Sequence, residues 1–541
     1  MYLILSASKD TYITDKIIDN AYSASNANVG RASTLDLFKL YNESYLSGVN
    51  PTNELSRILI QFDLSRLTDL MKTSLDVNSP SFKCKLKLYD VMAGQTTPAN
   101  FKLILFPLSQ SSMPYKSWNE GIGKNVVSFS DLDAANFLTS SYNLRGNPPV
   151  IPWDWAWHAS GANAQGNINA TALSAGWPDN IDVIISGNLN DGDGSKALGV
   201  MQTFPIGNEN LEMDVTTIVS ATLAGILPAS GFRVSFTGSE ENDTKTRFVK
   251  RFASRHVSDV SLRPRLDVSY NDTIIDNHRD FYFDLSGSIF LKNFHRGIPA
   301  NIHSGSALKQ VSGTNCLIVT LKSGSFSKTI SGSSHQVGTK VVLQDGSAAN
   351  FMSGVYSASF AIPSNDTTFV DFNTTLQQMI ARTGSVTFDE YWSSPDRLTG
   401  YYTGSMTIER IPRTSFNVSP RRLDFIVTNA KNSYSKSEKV LFRVFVRDFN
   451  EVFKKSRIPY DIPSVVLKEV YYRVRDADSD TIYIPFETTN DGTRLSSDSG
   501  GMFFELFMDL PPGRTFTFEF LSKESGLEFI TEAKNVRFRI E

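Results

Sequence analysis

Cysteine is nearly absent from the chain, since Cys84 and Cys316 are the only two in 541 residues. Two thiols so far apart exclude a disulfide framework and nearly exclude a thiolate metal site, so both are expected to act as small buried apolar residues. The sequence also lacks any uninterrupted run of the ~18 apolar residues that a membrane-spanning helix needs. No membrane partner is therefore expected.

An excess of charge of one sign is missing as well. The chain has 53 Lys and Arg against 56 Asp and Glu, a formal net charge of -3, so no global field for nucleic acid or an anionic membrane is implied. The first ten residues carry no basic segment and only a short apolar run, which predicts a strand and no signal peptide. We expect the protein to be made and folded in the cytoplasm of a host.

Aromatic residues, by contrast, are abundant, with 37 Phe and 19 Tyr. Large aromatic side chains fit half-buried pleated surfaces and favour β-sheet. A chain of this length is expected to form roughly two to four domains. Its patterns predict an all-β protein with a jelly-roll-like sandwich and long inserted loops over 1–275, a β-rich domain with one helix over 276–412, and a C-terminal sandwich over 413–541.

Alternation of apolar and polar residues marks individual strands. Phe82, Cys84, Leu86 and Leu88 alternate with lysines, which predicts a strand with one buried and one wet face. Residues 442–447 alternate in the same way, and the apolar stretch at 57–64 predicts a central strand. Residues 247–270 predict two strands joined as the closing hairpin of the N-terminal domain.

Helical turns are expected at three places in the sequence. The first is at 65–72, and the second is at 215–224, with Asp214 as its N-cap and Gly225 beyond its end. The third is at 373–382, where Gly384 is expected to end it.

Six short motifs follow one another in the first 270 residues. They are Lys-Asp-Thr-Tyr-Ile at 9–13, Ser-Arg-Ile-Leu-Ile-Gln-Phe-Asp-Leu-Ser at 56–65, Leu-Lys-Leu-Tyr at 86–89, Trp-Asn-Glu-Gly at 118–121, Asp-Val-Thr at 214–216, and Phe-Ala-Ser at 252–254 continuing through Arg-Pro-Arg-Leu at 263–266 to Tyr270. In this order they resemble the DNRLRE-type β-sandwich family, whose members include carbohydrate-binding modules of secreted and cell-surface proteins. The resemblance implies a jelly-roll-like fold and a cell-surface glycan as partner. It also implies a functional acidic residue near the edge of the sandwich, where Asp10 lies.

Three stretches of the remaining half carry a second resemblance. They are Arg-Val-Phe-Val-Arg-Asp-Phe at 443–449, Ser-Arg-Ile-Pro-Tyr-Asp-Ile-Pro at 456–463 and Tyr-Tyr-Arg-Val-Arg-Asp at 471–476. In style they are similar to structural proteins of tailed bacteriophages, which are β-rich, cysteine-poor, signal-free and assembled in the host cytoplasm. This resemblance implies a place in the virion, with other virion structural proteins as partners and a homo-oligomer within a symmetric assembly.

Motifs for chemistry are sparse. The loop Asn-Asp-Gly-Asp-Gly-Ser at 190–195 offers Asp191 and Asp193 to a hard cation, but it lacks the later bidentate glutamate of helix–loop–helix calcium sites. A turn rich in Asp and Gly is therefore favoured, with Ca²⁺ as the alternative. The six histidines show no ligand spacing, which argues against zinc. No catalytic residue or other cofactor is assigned, and the acidic pairs at 240–241 and 389–390 are interpreted as solvated loops.

Five of the six tryptophans lie between about 110 and 180, where the strand pattern lapses: Trp118, Trp153, Trp155, Trp157 and Trp177. Period two would place three of these rings on one side of an extended segment at 153–157. Exposed rings could stack on sugar rings, whereas buried rings would anchor a loop or a subunit contact. Burial in the core or in an interface is favoured over sugar binding.

The basic residues Lys245, Arg247, Lys250, Arg251 and Arg255 are interpreted as a solvated sheet face or an electrostatic subunit contact. Together the patterns favour a non-enzymatic structural component of a tailed-phage virion, on the capsid surface or in the neck, tail or baseplate. A glycan-binding adhesin or receptor-binding protein is the alternative, and a polysaccharide-degrading enzyme is a third hypothesis.

Overall fold

A computed structural model describes residues 1–91, 97–108, 118–127, 134–142, 150–152, 183, 186–188, 195–305, 309–342, 348–411, 421–450, 464–524, 526–534 and 536–541. Strands dominate it, and the predicted all-β, multi-sandwich class is confirmed. The helices are short: α1 (Ser65–Met71), α2 (Thr216–Leu223), α3 (Gly238–Glu241) and α4 (Leu376–Thr383). Within these ranges no helix is long and apolar enough to cross a membrane.

The N-terminal unit holds sixteen strands in the described ranges. They are β1 (Tyr2–Thr14), β2 (Ile17–Ile18), β3 (Tyr22–Ser23), β4 (Thr34–Tyr41), β5 (Asn53–Phe62), β6 (Lys83–Leu88), β7 (Phe101–Pro107), β8 (Thr139–Tyr142), β9 (Val150–Pro152), β10 (Ser186–Asn188), β11 (Ser195–Ala197), β12 (Val200–Phe204), β13 (Leu211–Asp214), β14 (Phe232–Phe236), β15 (Arg247–Ala253) and β16 (Arg265–Ser269).

Strand β1 is long enough to serve two parts of the sheet. Its residues from Tyr2 to Ser6 pair antiparallel with β16, and the residues from Ala7 onward pair with β5, with a register shift between Ala7 and Lys9. The strand order is β12-β7-β14-β5-β1-β16-β6-β13, with β4 beside β5 and β15 beside β4. This arrangement encloses a core to which Leu3, Ile60 and Leu86 contribute.

Local patterns identified these strands but not all of their neighbours. The alternation that begins at Phe82 is confirmed, because its apolar side chains are buried, and β5 is central between β1 and β14. The predicted closing hairpin is wrong, since β15 pairs with β4 whereas β16 pairs with β1 and β6. Period two reports which face of a strand is buried and leaves its partner undetermined.

A second buried layer covers the other face of β5 and β7. Leu59 and Ile104 point away from the main core into a cluster with Trp118 and Phe137. Arg57 is fully buried in the same layer, with its guanidinium carbon 5.6 Å from the centre of the Phe137 ring. Trp118, Ala135 and Phe137 are therefore part of the packed structure of this unit.

The middle unit contains β17 (Phe281–Tyr282), β18 (Gly287–Lys292), β19 (Phe294–His295), β20 (Ile298–Pro299), β21 (His303–Ser304), β22 (Lys309–Gln310), β23 (Leu317–Ser323), β24 (Phe326–Val342), β25 (Ala348–Phe360), β26 (Ser385–Ser393) and β27 (Gly400–Glu409). Seven of them form one sheet in the order β17-β27-β26-β23-β24-β25-β18. Its core includes Leu321, Tyr356, Phe388 and Trp392, whereas Cys316 is only half-buried at its margin.

Helix α4 confirms the predicted helix of the middle unit, with a later start. Thr375 is the N-cap, because its side chain accepts from the N–H of Gln378 while the Gln378 side chain accepts from the N–H of Thr375. Gly384 ends the helix with φ 77°, which a side chain would disfavour. In α2 the predicted cap is wrong: buried Val215 is the N-cap residue, and Asp214 instead accepts from the N–H of Thr216 at 2.9 Å.

The C-terminal unit contains β28 (Leu423–Val427), β29 (Ser433–Tyr434), β30 (Lys439–Asp448), β31 (Val470–Asp476), β32 (Ile482–Ile484), β33 (Ser496–Asp498), β34 (Gly501–Phe507), β35 (Thr515–Glu524), β36 (Leu527–Glu532) and β37 (Phe538–Ile540). They form two sheets, β28-β30-β34-β33 and β29-β37-β35-β31-β32, with β36 beside β35. Between them lies an aromatic core in which the Phe442 ring is 5.1 Å from Phe504 and 4.9 Å from Phe518.

The N-terminal and C-terminal units share buried residues. Tyr2 and Ile4 of β1 face away from their own core and are buried in the C-terminal one. From the C-terminal unit, Asn490 donates to Ser269 Oγ at 2.7 Å. Because apolar and polar contacts both cross this boundary, the two units form one packed body.

Candidate functional site

Three titratable side chains from distant parts of the N-terminal unit meet beside the bulge of β1. Asp10 lies in β1, Glu120 lies in the loop after Trp118, and His256 follows β15. One carboxylate oxygen from each acid and one ring nitrogen of His256 lie within 4.8 Å of one another. These three residues are referred to below as the acid–histidine cluster.

The loop that carries Glu120 is held against the sandwich by Asn28, which is fully buried. Asn28 Nδ2 donates to the carbonyl oxygens of Glu120 at 2.8 Å and Ala135 at 3.0 Å, and Oδ1 accepts from the N–H groups of Gly30 and Gly123. A Cβ at Gly30 would lie 1.9 Å from the carbonyl oxygen of Glu120, so glycine is required for this approach. The backbone of Glu120 is thus fixed independently of its carboxylate.

Asp10 is the most deeply buried member of the cluster, with 1% of its surface exposed. Its N–H donates to Glu120 Oε1 at 2.9 Å, and its Oδ2 accepts from the N–H of Arg255 at 2.6 Å. Its other oxygen, Oδ1, is buried with no hydrogen-bond partner. Burial raises the pKa of Asp10 to about 7, against the effect of the Arg255 N–H and with that of the Glu120 charge.

His256 and Arg255 form the more exposed side of the cluster. His256 Nε2 lies 3.5 Å from Glu120 Oε1, and this nitrogen has no hydrogen-bond partner. Arg255 Nε lies 3.5 Å from the same carboxylate oxygen and is its counter-charge. Two carboxylates and an imidazole are oxygen and nitrogen donors of the kind that bind divalent cations.

Sequence spacing singles out neither Glu120 nor His256. Ligands that come from three distant segments leave no short motif, and the six histidines show none. The three motifs at 9–13, 118–121 and 252–254 could have located the cluster, since all three lie at or next to it. Of its members, the sequence singles out only Asp10, as an acidic residue near the sandwich edge.

A second buried group links the units and is referred to below as the His278 clasp. His278 Nδ1 lies 2.5 Å from Asp276 Oδ1, and Nε2 lies 2.9 Å from Glu390 Oε2 of the middle unit. The N–H of Asp276 donates to Ser497 Oγ of the C-terminal unit at 3.0 Å. Burial alone lowers the pKa of His278, but the hydrogen bonds and charges of the two carboxylates outweigh it and raise the pKa to about 10. His278 is therefore a buried cation at neutral pH.

Trp118 is a core residue. It is fully buried, and its indole N–H donates to the carbonyl oxygen of Ser230 at 3.0 Å. A surface role in glycan or subunit binding is wrong for this residue, because no face of the ring is accessible. The other tryptophan candidates and the calcium candidates lie outside the described residues: Trp153, Trp155, Trp157, Trp177, Asp191 and Asp193.

The basic residues of β15 are paired within the chain. Lys250 is fully buried, and its ammonium group contacts Asp90. Arg251 makes two hydrogen bonds to Asp36 of β4, at 2.7 and 2.8 Å. The predicted solvated face or subunit contact is therefore wrong for these two residues, because β4 and the loop at Asp90 bring carboxylates to both sides of β15.

The two acidic pairs are not simply solvated either. Glu241 is fully buried and pairs with Arg57 at 3.0 Å. Glu390 is buried and holds His278. In each pair one residue turns inward, and a buried basic side chain compensates its charge.

No protein-family model matches the chain, and no curated protein matches it in sequence. Among solved structures, the fibronectin(III)-like modules of Clostridium thermocellum CbhA align over 50% of this chain and 93% of their own, at 6% identity and a TM-score of 0.13. The D00-D0 domain of intimin aligns over 50% and 98%, at 12% identity and a TM-score of 0.12. The BSP domain of a biofilm-associated protein aligns over 100% and 90%, at 8% identity and a TM-score of 0.14. Likenesses this weak bear on neither site.

Proposed function

We propose that the chain is a non-enzymatic structural component of a tailed-phage virion, acting through assembly contacts that include further copies of itself. The supporting observation is the edge strand β36 of the C-terminal unit. Its side chains Leu527, Phe529 and Ile530 are 40%, 38% and 57% exposed. Among the described residues, β36 pairs only with β35, so its outer backbone edge has no strand partner there.

An exposed apolar edge strand favours pairing with another chain, and proteins that remain monomeric usually protect such edges. The two glutamates of β36, Glu528 and Glu532, lie toward its ends, and the apolar residues Phe529 and Ile530 lie between them on opposite faces of the strand. In an assembly the same strand supplies backbone pairing and an apolar interface centre with a charged rim. These properties support a building block over a freely diffusing enzyme or lectin.

The joined units support the same proposal. Tyr2 and Ile4 are buried in the C-terminal core, and Asp276 of the His278 clasp donates its N–H to Ser497 of the C-terminal unit. A contact made at β36 is therefore carried by a body larger than one sandwich. Such a body keeps its binding surfaces in fixed relative positions, as a symmetric particle requires.

The test is the molar mass of the purified full chain by light scattering, with Ile530→Asp as the variant. Ile298→Asp is the matched control, since Ile298 is 67% exposed in the middle unit. We expect a discrete oligomer for the natural chain and the control, a smaller species for Ile530→Asp, and recovery of the chain in purified particles at a fixed copy number.

Monomers in all three samples, together with absence from particles, would overturn the proposal. A glycan array with the natural chain and Trp155→Ala then decides for or against the adhesin. Release of reducing sugar from a polysaccharide would instead identify an enzyme.

A further inference from the structure

We propose that Asp10, Glu120 and His256 form a binding site for one divalent transition-type cation, with Zn²⁺ as the reference ion. The inference is independent of the virion role. The donors are two carboxylate oxygens and one imidazole nitrogen, and they lie within 4.8 Å of one another. A set of three protein ligands with a fourth position for water is characteristic of zinc sites that remain open to solvent.

Two unpartnered polar atoms carry the inference. Asp10 Oδ1 is buried without a hydrogen-bond partner in a residue that is only 1% exposed, and His256 Nε2 is buried without one as well. Buried polar atoms in folded proteins are nearly always satisfied, and an exception calls for a bound ion, a water or a functional role. A cation bound by Asp10 Oδ1 and His256 Nε2 would satisfy both atoms at once.

The donors are held in position before any ion binds. Asn28 fixes the backbone of Glu120, the N–H of Asp10 fixes Glu120 Oε1, and the N–H of Arg255 fixes Asp10 Oδ2. Each of these contacts uses one lone pair of a carboxylate oxygen or a backbone group and leaves further lone pairs for an ion. Outer hydrogen bonds of this kind orient metal ligands and tune their affinity.

The donor type selects the class of ion. Ca²⁺ takes six to eight oxygen ligands, and Mg²⁺ keeps most of its waters and prefers oxygen, so the imidazole suits neither. Imidazole with carboxylate suits Zn²⁺ and its first-row neighbours. Arg255 competes with the ion, because its guanidinium Nε is 3.5 Å from Glu120 Oε1 and serves as the counter-charge of that carboxylate.

The experiment titrates chelator-treated full-length protein with ZnCl₂ in a calorimeter and records the visible spectrum after loading with Co²⁺. His256→Ala is the test variant, since the ring is 28% exposed and its Nε2 makes no hydrogen bond, so the fold does not depend on it. His295→Ala is the control, on an exposed histidine of the middle unit. Arg255→Ala reports on the competing charge.

We expect one Zn²⁺ per chain for the natural protein and the His295→Ala control. His256→Ala should weaken the affinity for Zn²⁺ by at least ~10–100-fold, which is the loss that follows when only the residues that orient a metal's ligands are changed. Arg255→Ala should bind Zn²⁺ more tightly than the natural chain, and Co²⁺ should give a visible band that His256→Ala lacks. Equal Zn²⁺ affinity in His256→Ala, no binding at one ion per chain, or saturation by Ca²⁺ in preference to Zn²⁺ would each overturn the assignment.

Discussion

The His278 clasp should make the stability of the protein depend on pH above neutrality. His278 is buried between Asp276 and Glu390, and its folded pKa is about 10 against an ordinary value of 6.5. Since the folded pKa is the higher one, the stabilisation is fully present below pH 6.5 and is lost as the pH rises toward 10. The window therefore runs from about pH 6.5 to about pH 10.

The magnitude follows from that pKa shift and from the burial of the carboxylates. The difference between 6.5 and about 10 corresponds to about 5 kcal/mol at about 1.4 kcal/mol per pKa unit. Removing one partner from a buried ion group typically costs ~3–5 kcal/mol, because it leaves an uncompensated charge. Asp276 and Glu390 are 3% and 1% exposed, so little solvent is available to replace the imidazolium. We therefore expect a loss of ~3–5 kcal/mol from the clasp.

The perturbation is His278→Gln, which retains a donor for one carboxylate but carries no charge. Urea unfolding of the natural chain, the variant and His295→Gln should be followed from pH 6 to pH 9.5. The natural chain and the His295→Gln control should lose stability across this range, and His278→Gln should be less stable at pH 6 and should lose less stability than the natural chain as the pH rises. Parallel pH profiles for His278→Gln and the natural chain would refute the reasoning, because the proton on His278 would then contribute nothing.

Two further predictions concern buried contacts. Glu241→Gln removes the carboxylate charge beside buried Arg57 and should lower the free energy of unfolding by ~3–5 kcal/mol. Its control, Asp69→Asn, lies on an exposed pair and should change the free energy of unfolding by less than ~1 kcal/mol. Chemical denaturation measures both values, and equal effects would contradict the role of burial. Tyr2→Ala leaves a cavity in the C-terminal core and should lower the free energy of unfolding by ~3–5 kcal/mol, so that both units are cleaved earlier by a protease. Tyr45→Ala is the control, because Tyr45 is exposed. If the C-terminal unit of Tyr2→Ala resists the protease as well as that of the natural chain, the shared core does not couple the units.

Local structure followed from the sequence to a large extent. The alternation from Phe82 to Leu88 and that around Phe442 predicted strands and their buried faces, because the two-residue repeat of a strand is a property of a few neighbouring residues. Helix α4 and its end at Gly384 were also predicted, since caps depend on residues within one turn. The pattern predicts too early a start, at 373, because the capping box at Thr375 sets the first turn of the helix.

The candidate sites were much less predictable. The sequence singles out Asp10 but neither Glu120 nor His256, and its patterns predict a solvated loop at Glu390, which is a buried member of the clasp. Trp118 was grouped with possible surface aromatics, although the second buried layer over β5 encloses it. Each of these errors concerns what lies across the fold from a residue, which its immediate neighbours in sequence do not specify.

The sequence by itself determined the class of this protein: a cysteine-poor, aromatic-rich chain whose period-two segments can bury one face only by forming sheets. Tertiary structure alone decided which strands are neighbours, since β15 pairs with β4 and β16 with β1, and those pairings bring the acid–histidine cluster together. The physical reason is the separation in sequence over which each property is determined. Burial of a strand face depends on residues two positions apart. Compensation of a buried charge depends on a distant segment that the packing of the whole chain brings within hydrogen-bonding distance.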